Sequence, residues 1–195
     1  MPALVHPAAT ALVEPGRVYR LRELVGPGVK NPSRAVSALV RAGALVRLQP
    51  GLFATPRPSR WGPVLPSDEA LLNAVLGEGN WILSGPPRWS ALGLGVTAQH
   101  AVTWVTNRRR SGPLRLGGRR FALRLGRFPP DPPPEWFVVE LFSHAATVGL
   151  SLPQLTESLR RALAAGRFDR ATLRRLSGDA APRREVLKSL EAALA

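Results

Sequence analysis

The hydrophobic pattern of the chain is clearest in SRAVSALVRAG, residues 33–43. It places Val36, Leu39 and Val40 on one side of a helix and Arg34, Ser37, Ala38 and Arg41 on the other. At about 100° per residue, Arg41 lies about 20° from Arg34, Ala38 about 40° and Ser37 about 60°, while the three apolar residues lie about 120° or more away. Ser33 predicts the N-cap of this helix and Gly43 its C-terminal stop. ALVRL and GLFAT follow, joined by Gln49-Pro50-Gly51. Their period of two predicts a hairpin with Arg47 between Val46 and Leu48. Upstream, Val18, Leu21, Leu24 and Val25 in VYRLRELVG are spaced for a helix over 18–26, and PAATALVEPG for a shorter one ending before Pro15. PGVKNP between them reads as a turn. The order helix, helix, turn, helix, hairpin predicts a winged helix-turn-helix domain over residues 1–60.

The pattern changes after a proline-rich stretch, PRPSRWGPVLPSD, which reads as a linker. Ser67, followed by Asp68 and Glu69, predicts a capped helix in PSDEALLNAVLG. NWILSG and AVTWVTN predict strands, and PPRWSALGLG a short helix opened by proline. LRLGGRRFALRLGRF alternates on both sides of Gly117-Gly118 and predicts a hairpin. Beyond PPDPPP, four stretches read as helices: EWFVVELFSHAATVGL, LPQLTESLRRALAAG, FDRATLRRLSGD and PRREVLKSLEAALA. Leu155, Leu159 and Leu163 form an apolar stripe on the second of them. Residues 61–195 are therefore expected to form a mixed α/β domain with a helical tail from about 135 to 195. The predicted class is α/β in the α+β sense.

Charge decides what such a fold is for. The chain has 27 Lys+Arg against 13 Asp+Glu, a net charge of +14, in 195 residues. That balance implies a polyanionic partner, most simply nucleic acid. Only Lys30 and Lys188 are lysines, and Ala, Leu, Gly and Pro are also abundant, so the placement of arginine says more than its total. Residues 1–60 hold nine basic and two acidic residues, half of the net charge. The candidate DNA-reading residues are Lys30, Asn31, Ser33, Arg34, Ser37 and Arg41 on and before the helix, with Arg47 and Gln49 on the hairpin. Arginine suits guanine edges and phosphates, and a small residue such as Ala38 allows close approach to a groove. A second basic patch is expected around Arg108, Arg109, Arg110, Arg115, Arg119, Arg120 and Arg124, for nucleic acid or a partner protein.

Catalytic chemistry finds little support. There is no cysteine, which removes thiolate metal sites, disulfides and cysteine nucleophiles together. His6, His100 and His144 are far apart, and no phosphate-loop or dinucleotide fingerprint is present. A metal-dependent nuclease would draw on Asp131, Glu135 and Glu140, but single acids on an amphipathic helix are ordinarily surface residues. Trp81, Trp89, Trp104 and Trp136 are core candidates, and Trp61, in the linker, could instead stack on a base or pack between domains. The expectation is a cytoplasmic, non-enzymatic protein with no cofactor, no metal and no membrane partner.

GRVYRLREL followed by SRAVSALVRAGALVRLQPGLFATP resembles the N-terminal winged helix of AbiEi-type antitoxins, a family of transcriptional regulators. The matching residues are Ala35-Val36, Ala38-Leu39, Arg41, Gly43, Leu45, Arg47-Leu48 and Gly51-Leu52-Phe53, with Phe53 where the family often has tyrosine. SGPPRWSALGLGVTAQHAVTWVTN is similar to the segment that follows in that family, so the resemblance covers roughly the first 125 residues. It implies a repressor that binds double-stranded operator DNA, controls its own operon and neutralises a toxin with a nucleotidyltransferase-like fold. The C-terminal domain would carry the antitoxin activity. The competing expectations are an RNA-binding accessory protein using the Arg108–Arg124 patch, and the nuclease.

Overall fold

The structure is a computed structural model that describes residues 13–24, 31–97, 102–180 and 182–195. Lys30, the PGVKNP turn up to that residue and most of the helix expected in PAATALVEPG lie outside the described residues. The chain divides into two compact units, Met1–Glu78 with Leu114–Arg120, and Gly79–Pro113 with Phe121–Ala195. The sequence places the break at residue 60. The first unit runs on to Glu78 and includes the tip of the later hairpin.

In the first unit, β1 (Val18–Arg20) pairs antiparallel with β3 (Leu52–Ala54), which pairs antiparallel with β2 (Val46–Gln49), giving the order β1-β3-β2. The helix expected over 18–26 does not form in its described part. Val18–Arg20 is a strand, and Leu21–Glu23 is a single 3-10 turn. The reason is tertiary. Tyr19 sits opposite Phe53, both are buried, and strand pairing satisfies the backbone there where a short helix would not. Helix α1 (Pro32–Arg41) starts two residues earlier than an N-cap at Ser33 predicts. Asn31 stands at the N-cap without a side-chain hydrogen bond. Pro32 supplies a helical φ and has no N–H to satisfy. Val36 and Leu39 bury against Leu45 and Phe53, with Val40 packed beside them. Helix α2 (Asp68–Leu76) opens on Ser67, whose hydroxyl accepts from the Ala70 N–H at 3.2 Å, and buries Leu71, Leu72 and Leu76.

The second sheet has the order β4-β5-β7-β6: β4 (Trp81–Ser84), β5 (Thr103–Asn107), β6 (Gly112–Leu116) and β7 (Arg119–Leu125). β4 and β5 are antiparallel, and β5 and β7 parallel. Gly117 and Gly118 both have positive φ, the conformation a two-residue hairpin turn requires and other residues adopt at a cost. Helix α3 (Pro86–Ser90) and α4 (Pro134–Ser143) precede a helical tail: α5 (Leu152–Ala164), α6 (Arg170–Ala180) and α7 (Arg184–Leu194). EWFVVELFSHAATVGL reads as one helix, but α4 stops at Ser143 and the backbone turns at His144 into a 3-10 segment, Ala145–Val148. Leu155 and Leu159 are fully buried and Leu163 nearly so, as their stripe predicts. Arg160 and Arg174 donate to the Ala192 and Leu194 carbonyls at the end of α7, where positive charge is favoured. The result is a mixed α/β protein of seven helices and two sheets among the described residues. No described helix is long and apolar enough to cross a membrane.

Candidate nucleic-acid interface

The polar face of α1 stands clear of the core that anchors the other face. Asn31, Ser33, Arg34, Ser37 and Arg41 are exposed, and Ala38 is half-buried between them. Arg47 is exposed on β2, and Gln49 is half-buried at its end. A β-bulge lies between these two, since Arg47 faces Phe53 while Gln49 faces Leu52. Such a bulge bends the strand and re-aims its side chains. The structure brings four of the predicted residues together. Ser33, Ser37 and Arg41 of α1 and Arg47 of β2 wall one groove of about 280 Å³, floored by Val36, Val40 and Phe53. Arg34 lies on the same helix face but does not line the groove. Neither Arg34, Arg41 nor Arg47 has an acidic partner among the described residues, so all three guanidiniums are available to a ligand.

No family model matches the chain, and no curated protein matches it. The fold is shared with a solved structure. The RV2827C protein from Mycobacterium tuberculosis superposes with a TM-score of 0.56 at 17% identity, covering 91% of this chain and 72% of that one. A likeness at that identity concerns the backbone architecture, and it extends over both units of the mixed α/β fold.

The second basic patch is smaller than the sequence suggests. Arg108, Arg109, Arg110, Arg115 and Arg120 are exposed. Arg119 is not free: it pairs with Asp68 at 2.7 Å and donates to the Pro66 carbonyl at 2.8 Å. Arg124 alternates outward in the sequence pattern, yet its guanidinium lies 3.7 Å over the Trp104 ring and its Nε is buried without a hydrogen-bond partner. The physical reason is tertiary: Trp136, Val139 and Glu140 of α4 line the same cavity as Arg124, which makes an expected surface position half-buried. The Asn107 side chain fixes the bend after β5. It accepts from the Arg109 and Arg110 N–H groups at 2.9 Å and donates to the Arg110 and Arg124 carbonyls.

The acids considered for a nuclease are also placed differently from expectation. Glu135 is buried and accepts from the Asp169 N–H at 2.8 Å, just ahead of α6. Glu140 is largely buried. It accepts from Trp89 Nε1 at 3.0 Å and from Thr106 Oγ1 at 3.1 Å, with the Ser84 hydroxyl 2.9 Å beyond Thr106. Both carboxylates therefore hold structure together rather than converge with Asp131, which is exposed. Among the described residues no three His, Asp or Glu side chains gather as a metal site. Burial pushes the Glu140 carboxyl up despite its hydrogen bonds, and lowers the Arg124 guanidinium. His144 stacks on Trp89 and meets Trp104 edge-on. Desolvation, then the charges of Arg124 and Arg183, push it down to about 4. The sequence signal for this cluster was a single acid inside the apolar run WFVVELF, which only burial explains.

A pH dependence follows. His144 is neutral in the folded state down to about pH 4 but protonates near 6.5 when unfolded. Its contribution is present above pH 6.5 and lost as pH falls toward 4. Glu140 acts oppositely, since a raised carboxyl favours the protonated folded state at low pH. Denaturant unfolding at pH 7 and pH 5 is expected to show lower stability at pH 5, and His144→Phe to flatten that difference. An equal pH dependence in the variant would remove His144 as its source.

Proposed function

We propose that this protein is a sequence-specific DNA-binding repressor, with α1 as the recognition helix and the β2–β3 hairpin as a wing. The observation that carries the reading is the groove that brings Ser33, Ser37 and Arg41 of α1 against Arg47 of β2, with no acid pairing either arginine. An amphipathic helix whose outer face offers arginine, serine and alanine fits a major groove, which is about 12 Å wide. Arg34, Ser37 and Arg41, with Asn31, would read base edges, and Arg47 and Gln49 would hold the adjacent backbone. Counterion release by the arginines would supply much of the affinity. The net charge of +14 supports the same partner.

The antitoxin half of the proposal rests on the resemblance to AbiEi-type regulators. In that reading the operon also encodes a nucleotidyltransferase-like toxin, and the second unit neutralises it.

The test is a mobility shift of the full chain on its own upstream DNA against a scrambled competitor, at two salt concentrations. Selective retention is expected. Arg41→Ala should weaken specific binding by about 1–3 kcal/mol if Arg41 reads a base. If it weakens all sequences alike and lowers the salt slope by about one, Arg41 is a phosphate contact. Equal, salt-sensitive binding to both DNAs would reduce the proposal to nonspecific polyanion affinity. Co-expression with the neighbouring gene product tests the second half: growth should be restored only when this chain is present.

A further inference from the structure

Past the end of β3 the stretch that reads as a linker is a closed loop. Arg57 and Val64 exchange both backbone hydrogen bonds at 2.9 Å. Inside it, the Ser59 hydroxyl donates to the Gly62 carbonyl at 2.6 Å and accepts from the Trp61 N–H at 3.2 Å. The Gly62 N–H donates to the Ser59 carbonyl at 3.1 Å. At the tip Trp61 is 84% exposed, whereas Trp89 and Trp104 are buried and Trp81 and Trp136 partly so. The Arg60 guanidinium lies 4.9 Å over the Trp61 ring. The Arg57 guanidinium lies against the backbone of Gly16, where any side chain would collide with its Nε.

A single exposed apolar residue is ordinary on a protein surface. This one is presented on a loop ordered by its own hydrogen bonds, directly after two exposed arginines, Arg57 and Arg60. No acid occurs from Arg57 to Ser67, and the next, Asp68, is already paired with Arg119. An indole beside guanidiniums matches a deoxyribose of the backbone bordered by phosphates. The site also lies suitably within its unit. The wing turn precedes β3 and this loop follows it, so Gly51 and Arg57 are separated along the chain by on the order of 20 Å at strand rise. Contacts at both ends of β3 would reach across a major groove about 12 Å wide to the backbones that border it.

We propose that the Arg57–Val64 loop is a second contact to duplex DNA, in which Trp61 packs on a backbone sugar at the groove edge and Arg57 and Arg60 pair with phosphates. The proposal rests on the DNA-binding reading above. Its test measures binding of the full chain to its upstream duplex at fixed salt. Trp61→Ala should lose about tenfold in affinity through the apolar contact removed, and Trp61→Phe should keep most of it. Both should melt at the wild-type temperature, because the side chain is exposed. Acrylamide quenching gives an independent readout: DNA should shield a fluorescent tryptophan in the wild type, and that protection should vanish in Trp61→Phe. Wild-type affinity in Trp61→Ala, with Arg41→Ala still weakened, would overturn the loop contact and leave the recognition helix standing. Failure of the wild type itself to retain its upstream DNA selectively would overturn both.

Discussion

Trp89→Ala is expected to remove most of the stability of the second unit. Trp89 is completely buried, packs edge-on against Trp104 with ring centroids 5.2 Å apart, and stacks on His144. Truncating a buried aromatic costs about 3–5 kcal/mol through lost transfer energy and the cavity left behind. Here the indole N–H also satisfies Glu140 Oε2, so the substitution leaves a largely buried carboxylate short of a donor, at a further cost of about 1–3 kcal/mol. The sum is comparable with the whole stability of an ordinary domain, about 5–15 kcal/mol. Trp89→Phe separates the two contributions. It keeps most of the packing and loses only the donor, so it should fall between wild type and Trp89→Ala in chemical denaturation. A Trp89→Ala protein that unfolds at the wild-type denaturant concentration would show that the Trp89–Glu140–Thr106 network is not what joins α3, α4 and β5.

The second large effect concerns binding with the fold intact. Under the DNA-binding reading proposed above, replacing Arg34, Arg41 and Arg47 together by alanine should lower affinity for the upstream duplex a hundredfold or more, since each contact to a base is worth about 1–3 kcal/mol and each phosphate contact adds counterion release. Each arginine that touches a phosphate should also reduce the salt slope by about 0.9. All three side chains are exposed, and none pairs with an acid among the described residues. Melting should therefore stay near the wild-type temperature, which distinguishes a lost interface from a lost fold. Retention of selective binding by the triple variant would move the recognition surface away from α1 and the wing. The exposed Arg108–Arg110 segment would be the next surface to substitute.

The comparison of α1 with β1 shows what local pattern can and cannot specify. The α1 helix is legible because its two faces differ chemically over ten residues and because Gly43 punctuates its end, whereas its start lies two residues before the N-cap expected at Ser33. Val18–Arg20 is ambiguous in the sequence because three residues fit either period, and the strand is decided by β3, more than thirty residues away in sequence. The same holds for the charged groups. Arg34 and Arg41 are exposed because nothing polar or apolar in their own helix needs that face. Arg124, with an equally regular outward spacing, was drawn into a half-buried position over Trp104 by a helix the local pattern does not mention. Glu140 reads as a lone surface acid, and only α3 and β5 supply the Trp89 and Thr106 donors that let it be buried.

The sequence by itself determined the element types of the long periodic segments, the hairpin at Gly117-Gly118, the leucine stripe of α5 and the concentration of arginine in the first third. These depend on spacing, composition and backbone permissiveness, which are properties of neighbouring residues. Tertiary structure alone decided the strand at Val18–Arg20, the engagement of Arg119 and Arg124, the burial of Glu135 and Glu140, and the ordered loop that presents Trp61. Each of those depends on partners brought close only by folding, because burial and hydrogen-bond satisfaction are set by what lies across the gap and not by what lies next along the chain.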